Sequence, residues 1–160
     1  MHIDISLKEQ RLTLFDTSRK TLLSCAISSA ANGPGCQKNS GCTPLGRHTI
    51  RAKIGDGAPV NSVFVGRRAT GELCTPALMA AFPERDWILT RILWLSGTEL
   101  GINRLGEVDT MQRYIYIHGT PDSFEMGKIG SHGCIRMRNA ELIRLFDLVA
   151  TGTTVNIHND

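Results

Sequence analysis

Tyr114-Ile115-Tyr116-Ile117-His118-Gly119-Thr120-Pro121-Asp122 reads as a strand that runs into a turn, because the isoleucines alternate with the tyrosines until Thr-Pro-Asp breaks the pattern. Side chains alternate faces along a strand. Tyr114, Tyr116 and His118 therefore share one face, aromatic and partly wet, while Ile115 and Ile117 take the other. A second stretch follows shortly, Ser131-His132-Gly133-Cys134-Ile135-Arg136-Met137-Arg138-Asn139. It sets a cysteine after a glycine and two residues beyond a histidine.

A cysteine is a strong nucleophile as its thiolate, and a neighbouring imidazole or free backbone amides lower its pKa. Gly133 removes the side chain that would crowd a carbonyl approaching Cys134, and the amides around it can form an oxyanion hole. The ordinary alternative for Cys134 is a buried structural thiol. Its place beside a glycine and two imidazoles favours the activated nucleophile. His118 is then the general base, against the plainer role of a strand-end histidine bonded to backbone. Zinc held by His118, His132 and Cys134 is a further alternative. No acid stands within Ser131–Asn139 to serve as its general base.

His118, a variable stretch, Ser131-His132-Gly133-Cys134, and then Arg136 and Asn139 resemble the signature of the L,D-transpeptidase (YkuD-type) catalytic domain, with histidine and cysteine sixteen positions apart. Thr43-Pro44-Leu45-Gly46 before a strand is similar to that family too, as is an opening hairpin with Gln10 in its turn. The resemblance implies a mainly β, sandwich or barrel-like domain using no metal and no cofactor. It implies Cys134 as nucleophile, His118 as base oriented by a backbone carbonyl near Gly119, and His132 lining the site. Ser131, Gly133 and Gly119 shape the site and its oxyanion hole, with Arg136, Tyr116 and Tyr114 towards substrate. His132 has a turn-stabilising alternative. Arg136 either pairs with a substrate carboxylate or ties the loop to the next element.

The implied substrate is the L,D bond between the diamino acid at position three of a peptidoglycan stem peptide and the terminal D-alanine. The acyl-enzyme passes to water, making the protein an L,D-carboxypeptidase, or to an amine, making it a cross-linking L,D-transpeptidase. Carbapenems are the implied covalent inhibitors. The N-terminus alternates polar and apolar residues without an apolar leader core. That ranks a cytoplasmic L,D-carboxypeptidase of cell-wall recycling, acting on muropeptides, ahead of the transpeptidase. A non-catalytic murein-binding module comes third. Arg136, Arg91 and Arg104 are the candidate carboxylate partners, and Ser96–Thr110, with three glycines, is long enough to close over the cleft.

The chain of 160 residues suits one domain, 1–160, with 41% apolar and 21% charged residues. A net charge of +3, scattered along the chain, does not describe a nucleic-acid binder. No run reaches the ~18 apolar residues of a membrane span. Five cysteines without CxxC spacing argue against a disulfide framework and a zinc ribbon, although Cys36 and Cys42 are close enough in sequence to bridge on oxidation.

Taken in order, Ile3, Ile5 and Leu7 alternate, Lys8-Glu9-Gln10 turns, and Leu12 and Leu14 alternate again, which is a hairpin. Leu23, Cys25 and Ile27 make a third strand. A loop from Ser28 to Gly46 precedes a strand over Ile50, Ala52 and Ile54. Val63-Phe64-Val65 is a short apolar run, and Pro76–Phe82 is a helical turn. Trp87–Leu95 is apolar on both faces and reads as a central strand. Asn139 is the expected N-cap of the one clear helix, about 140–150, with Leu142, Leu145, Phe146 and Val149 on one stripe and Gly152 ending it. Val155 and Ile157 give a last strand, for about nine in all.

Overall fold

Alternating Ile3, Ile5, Leu12 and Leu14 place their apolar faces together, and β1 (His2–Ser6) and β2 (Arg11–Phe15) pair as an antiparallel hairpin. Gln10 adopts φ 51° in the turn, and its side-chain amide donates to Leu7 O and Ser29 Oγ while accepting from Ser29 N. The computed structural model describes all residues 1–160. Beyond the hairpin come β3 (Thr21–Ala26), β4 (Gly46–Ile54), β5 (Ser62–Val65), β6 (Arg68–Leu73), α1 (Pro76–Ala81), β7 (Ile88–Gly97), β8 (Tyr116–Gly119), β9 (Ile135–Met137), α2 (Asn139–Leu148) and β10 (Thr154–His158).

The strands form one curled sheet, a half-barrel running β3-β2-β1-β10-β4-β7, with β8 and β9 continuing from β7. The outer ends of the curl touch. Past β3, Ser28 N donates to Arg136 O at 3.0 Å and Arg136 N returns a bond to Ser28 O at 2.9 Å. Inside sits a core of 21 buried residues drawn from both ends of the chain, into which α2 lowers Leu142, Leu145, Phe146 and Val149. Each fully buried aliphatic or Phe side chain contributes about 1.5–3 kcal/mol, so the packing of α2 holds the curl shut. β7 pairs with β4 and β5 on one edge and β8 on the other. Its side chains are covered above and below, Leu93 and Leu95 in the main core and Leu89 and Ile92 in two smaller clusters, which explains its apolar character on both faces.

Four expectations need correction. The strands number ten, not about nine, because β6, which shows no apolar alternation, and β9, which alternates over only Ile135, Arg136 and Met137, pair with β5 and β8. Asn139 does not cap α2. It is the helix's first residue, buried, and its amide group reaches out instead: Oδ1 accepts from Thr90 Oγ1 (2.7 Å), and Nδ2 donates to Thr120 O (3.0 Å) and Asn61 Oδ1 (3.1 Å). Gly152 does not end α2, which stops at Leu148 with Val149 as its C-cap; Gly152 takes φ 88° in the turn into β10. Ser96–Thr110 is no lid. Asn103 pins it to β4 by donating to the carbonyls of Leu45 and Arg47, each at 3.0 Å.

Gly119 sits where β8 meets this network, and a Cβ there would overlap Asn139 Oδ1 and lie 2.5 Å from the Leu89 carbonyl oxygen. Gly119→Ala is expected to cost about 3 kcal/mol or more by overpacking, read as a lower urea midpoint at unchanged slope.

Candidate active site

Parallel pairing of β8 with β9 brings Ile117 beside Ile135 and His118 beside Arg136, so Cys134, the residue before β9, falls next to Tyr116. Pleating then sorts the side chains. Ile115, Ile117, Ile135 and Met137 face the main core, while Tyr116 and Cys134 join a small cluster on the opposite face. His118 and Cys134 line one cavity of about 160 Å³ together with Asp86, Arg113, Tyr114, Ile115, Ser131 and His132. A broader cavity of about 490 Å³ adjoins it, sharing Arg113, Tyr114, Ile115 and His132 and bounded by Lys38, Asn39 and Gly41.

The turn carrying Cys134 is fixed from three directions. Ser131 Oγ donates to Cys134 O at 2.5 Å and accepts from Gly133 N at 3.2 Å. Thr43, from the Thr-Pro turn, donates its hydroxyl to Gly133 O at 2.8 Å. Ser29, itself held by Gln10, accepts from both Gly130 N and Ser131 N through its carbonyl. Gly133 adopts φ 136°, and a Cβ there would come within 3.3 Å of Cys42 O and Ile115 Cδ1. The Gly133 amide is therefore spent on Ser131. The Cys134 amide donates to no protein group, which leaves it for an oxyanion.

The Cys134 thiol rests between Tyr114 O, to which it donates at 3.4 Å, and Tyr116 N, from which it accepts at 3.3 Å. Burial pushes its pKa up to about 12, opposed by the Tyr116 amide and by Arg136 and Arg113, and reinforced by Asp86. That is the reverse of the direction expected from the neighbouring imidazoles. His118 is buried, and its Nδ1 lies 2.6 Å from Gly119 O. A carbonyl only accepts, so Nδ1 carries the proton and Nε2 keeps a lone pair. Burial holds the His118 pKa below 6.5 against the Gly119 carbonyl and Asp86, which raise it. Thiol and imidazole thus face the same cavity as neutral groups.

The remaining site residues divide. His132 stands at the rim, its side chain 76% exposed and its Nδ1 3.7 Å from Asp86 Oδ1. Tyr114 is exposed at the mouth with φ 56°, in the turn before β8 and not within it. Tyr116 is buried and its hydroxyl accepts from Arg67 Nη1 at 2.9 Å, so the face shared with His118 is dry where a wet one was expected. Gly119 supplies a carbonyl to His118 and room for Asn139, not an oxyanion donor.

The three arginines picked from the sequence are all engaged elsewhere. Arg136 is buried, donates to Gly130 O at 3.1 Å and lies 3.8 Å from Asp86. Arg91 is buried and donates to Ala58 O and Thr90 O. Arg104 lines a separate cavity with Arg51 and Thr98. Asp86 and Arg113, which do face the thiol, were not singled out from the sequence. Asp86 lies in an irregular segment without local pattern, whereas Arg113, a charge one residue ahead of the tyrosine-isoleucine strand, was a readable signal. His118, His132 and Cys134 do not converge as metal ligands.

Residues 1–157 match the YkuD family model, the L,D-transpeptidase catalytic domain. YqjB of Bacillus subtilis, a candidate L,D-transpeptidase, is 48% identical over 44 residues, covering 28% of this chain and 25% of that protein. A solved Enterococcus faecium L,D-transpeptidase mutant superposes with a TM-score of 0.55 at 18% identity, over 98% of this chain and 49% of the other. A solved L,D-transpeptidase in complex with imipenem gives 0.56 at 18% identity, over 98% and 57%. The chain thus spans about a quarter of the curated relative's length and about half of each solved chain.

Proposed function

The chain belongs to the L,D-transpeptidase catalytic domain family, and from that premise we propose that it is a cysteine acyl-transfer enzyme acting on the L,D bond of peptidoglycan stem peptides, chiefly as an L,D-carboxypeptidase. The observation that carries the reading is the pairing in one cavity of the Cys134 thiol with His118, whose Nδ1 is committed to Gly119 O.

In the first half-reaction Cys134 Sγ attacks the carbonyl carbon of the diamino acid while Nε2 of His118 takes the thiol proton. The Sγ–C bond forms and the negative charge on oxygen meets the Cys134 amide. Collapse breaks the C–N bond, and His118 returns its proton to the departing amine of D-alanine. Water then attacks the thioester, giving its proton to His118. The S–C bond breaks and the thiolate recovers the proton, leaving a tripeptide with a new carboxylate.

The confined space around Cys134 favours water or a small acceptor. The walls that narrow it are Asp86, the turn through Arg113 and Tyr114, and Ser131 with His132, in place of the Ser96–Thr110 lid expected from sequence. The adjoining broader cavity favours a second reading, transfer to an amine and hence cross-linking. Mass spectrometry of murein tetrapeptide after incubation with the protein, with and without an added amine acceptor, separates the two. Tripeptide with free D-alanine is the expected product, and cross-linked dimer as the main product would reverse the order. A cytoplasmic site of action joins this reading as a proposal, tested by cell fractionation.

A carbapenem presents a strained amide carbonyl to the same thiol. Incubation of the intact protein with one is expected to add a single adduct, mapped by peptide analysis to Cys134. Cys36 and Cys74 are partly exposed too, and adducts on them instead would show that exposure, not the His118 site, governs reactivity.

A further inference from the structure

Arg113 is the sole arginine or lysine lining the cavity of Cys134, and it lines the adjoining cavity as well. Its guanidinium is half-buried and spends three of its five hydrogens on neutral acceptors: Gly35 O (3.2 Å), Cys42 O (2.6 Å) and Ser40 Oγ (3.4 Å). It forms no ion pair with any carboxylate of the chain. Burial pushes its pKa down without an acid to offset the loss of water. A partly desolvated cation left unpaired is costly unless an anion arrives from outside.

The substrate brings that anion. Its scissile carbonyl and terminal carboxylate belong to adjacent residues, whose Cα atoms are about 3.8 Å apart, so a carbonyl placed at Cys134 puts the carboxylate within the same small cavity. Asp86, the acid lining this space, is drawn towards His132 and Arg136, which leaves the Arg113 wall positive. We propose that Arg113 binds the free C-terminal carboxylate of the leaving D-amino acid, and so restricts the enzyme to peptides that end at that residue. The assignment rests on the peptidase reading above and takes over the part that Arg136 was expected to play.

Two peptides test it: the murein tetrapeptide and the same peptide ending in D-alanine amide, which lacks the charge. The native protein is expected to favour the carboxylate about 100-fold in kcat/KM, mostly through KM, as suits a charge-assisted contact. Arg113→Gln is expected to bring the ratio close to 1, and Arg113→Lys, which keeps the charge without the planar fork, to leave it between the two. Arg113 also braces the loop at Gly35 and Cys42, so total activity will fall in either variant. The ratio is insensitive to that loss. An unchanged ratio in Arg113→Gln overturns the proposal, as does no preference in the native protein. Should Arg113→Gln not fold, an unchanged ratio in Arg113→Lys overturns it equally. If the native protein releases D-alanine derivatives from neither peptide, the peptidase reading itself falls and takes the proposal with it.

Discussion

Cys134→Ala is expected to lower kcat for D-alanine release by about 10⁴-fold or more, the scale seen when a covalent nucleophile is removed, while the folded domain survives. Its thiol makes only two weak backbone contacts, to Tyr114 O and Tyr116 N, and losing bonds of this kind costs about 1 kcal/mol. The turn itself is held by Ser131 and Thr43, which the substitution leaves in place. Paired measurements of turnover and urea unfolding check both halves. Residual activity near the native value would end the covalent mechanism, and a collapse in stability would mean that Cys134 belongs to the packing. Cys25→Ala is the contrast, since Cys25 is buried in the main core and its loss should cost stability.

His118→Ala is expected to remove about 10²–10⁴-fold of kcat/KM, and the native pH profile gives the more specific check. The base acts only when neutral, so activity falls as pH drops through the His118 pKa. Burial holds that pKa below 6.5, which places the acid limb below pH 6.5 and leaves activity flat through neutrality. Burial likewise raises the Cys134 thiol to about 12, so no rise from thiolate formation should appear between pH 7 and 9. Asp86 raises both values. Asp86→Asn should therefore move the acid limb further down and quicken alkylation of Cys134 by iodoacetamide. An acid limb above 6.5 would contradict the effect of burial on His118, and one that persists in His118→Ala would shift the base role to His132.

Period-2 alternation made the hairpin, β3, β4 and β10 legible, because one face of each is buried and the other is not. The stripe of Leu142, Leu145, Phe146 and Val149 did the same for α2. β9 was not legible because it is three residues long, and β6 because it is exposed on both faces and carries no apolar alternation, so each is a strand by virtue of its partner. Asn139 misled for a related reason. An Asn ahead of a helical stripe is ordinarily a cap, but here the end of β8 and Thr90 of β7 lie within reach and claim its amide.

The sequence by itself determined the mainly β class, the helix, and the pair of candidate chemical groups, His118 and Cys134. These follow from local spacing and residue chemistry. Tertiary structure alone decided that parallel β8 and β9 carry the two onto one face, with His118 buried and Cys134 partly exposed to the cavity. It also decided that Asp86 and Arg113 flank them while Arg136 and Arg91 turn away. The thiol's proton affinity belongs to the same level, because desolvation depends on what the distant parts of the chain bury around a group. A histidine two residues before Cys134 in sequence was expected to lower its pKa, yet His132 ends in solvent and the burial of Cys134 against Tyr116, Phe64 and Ile92 raises it.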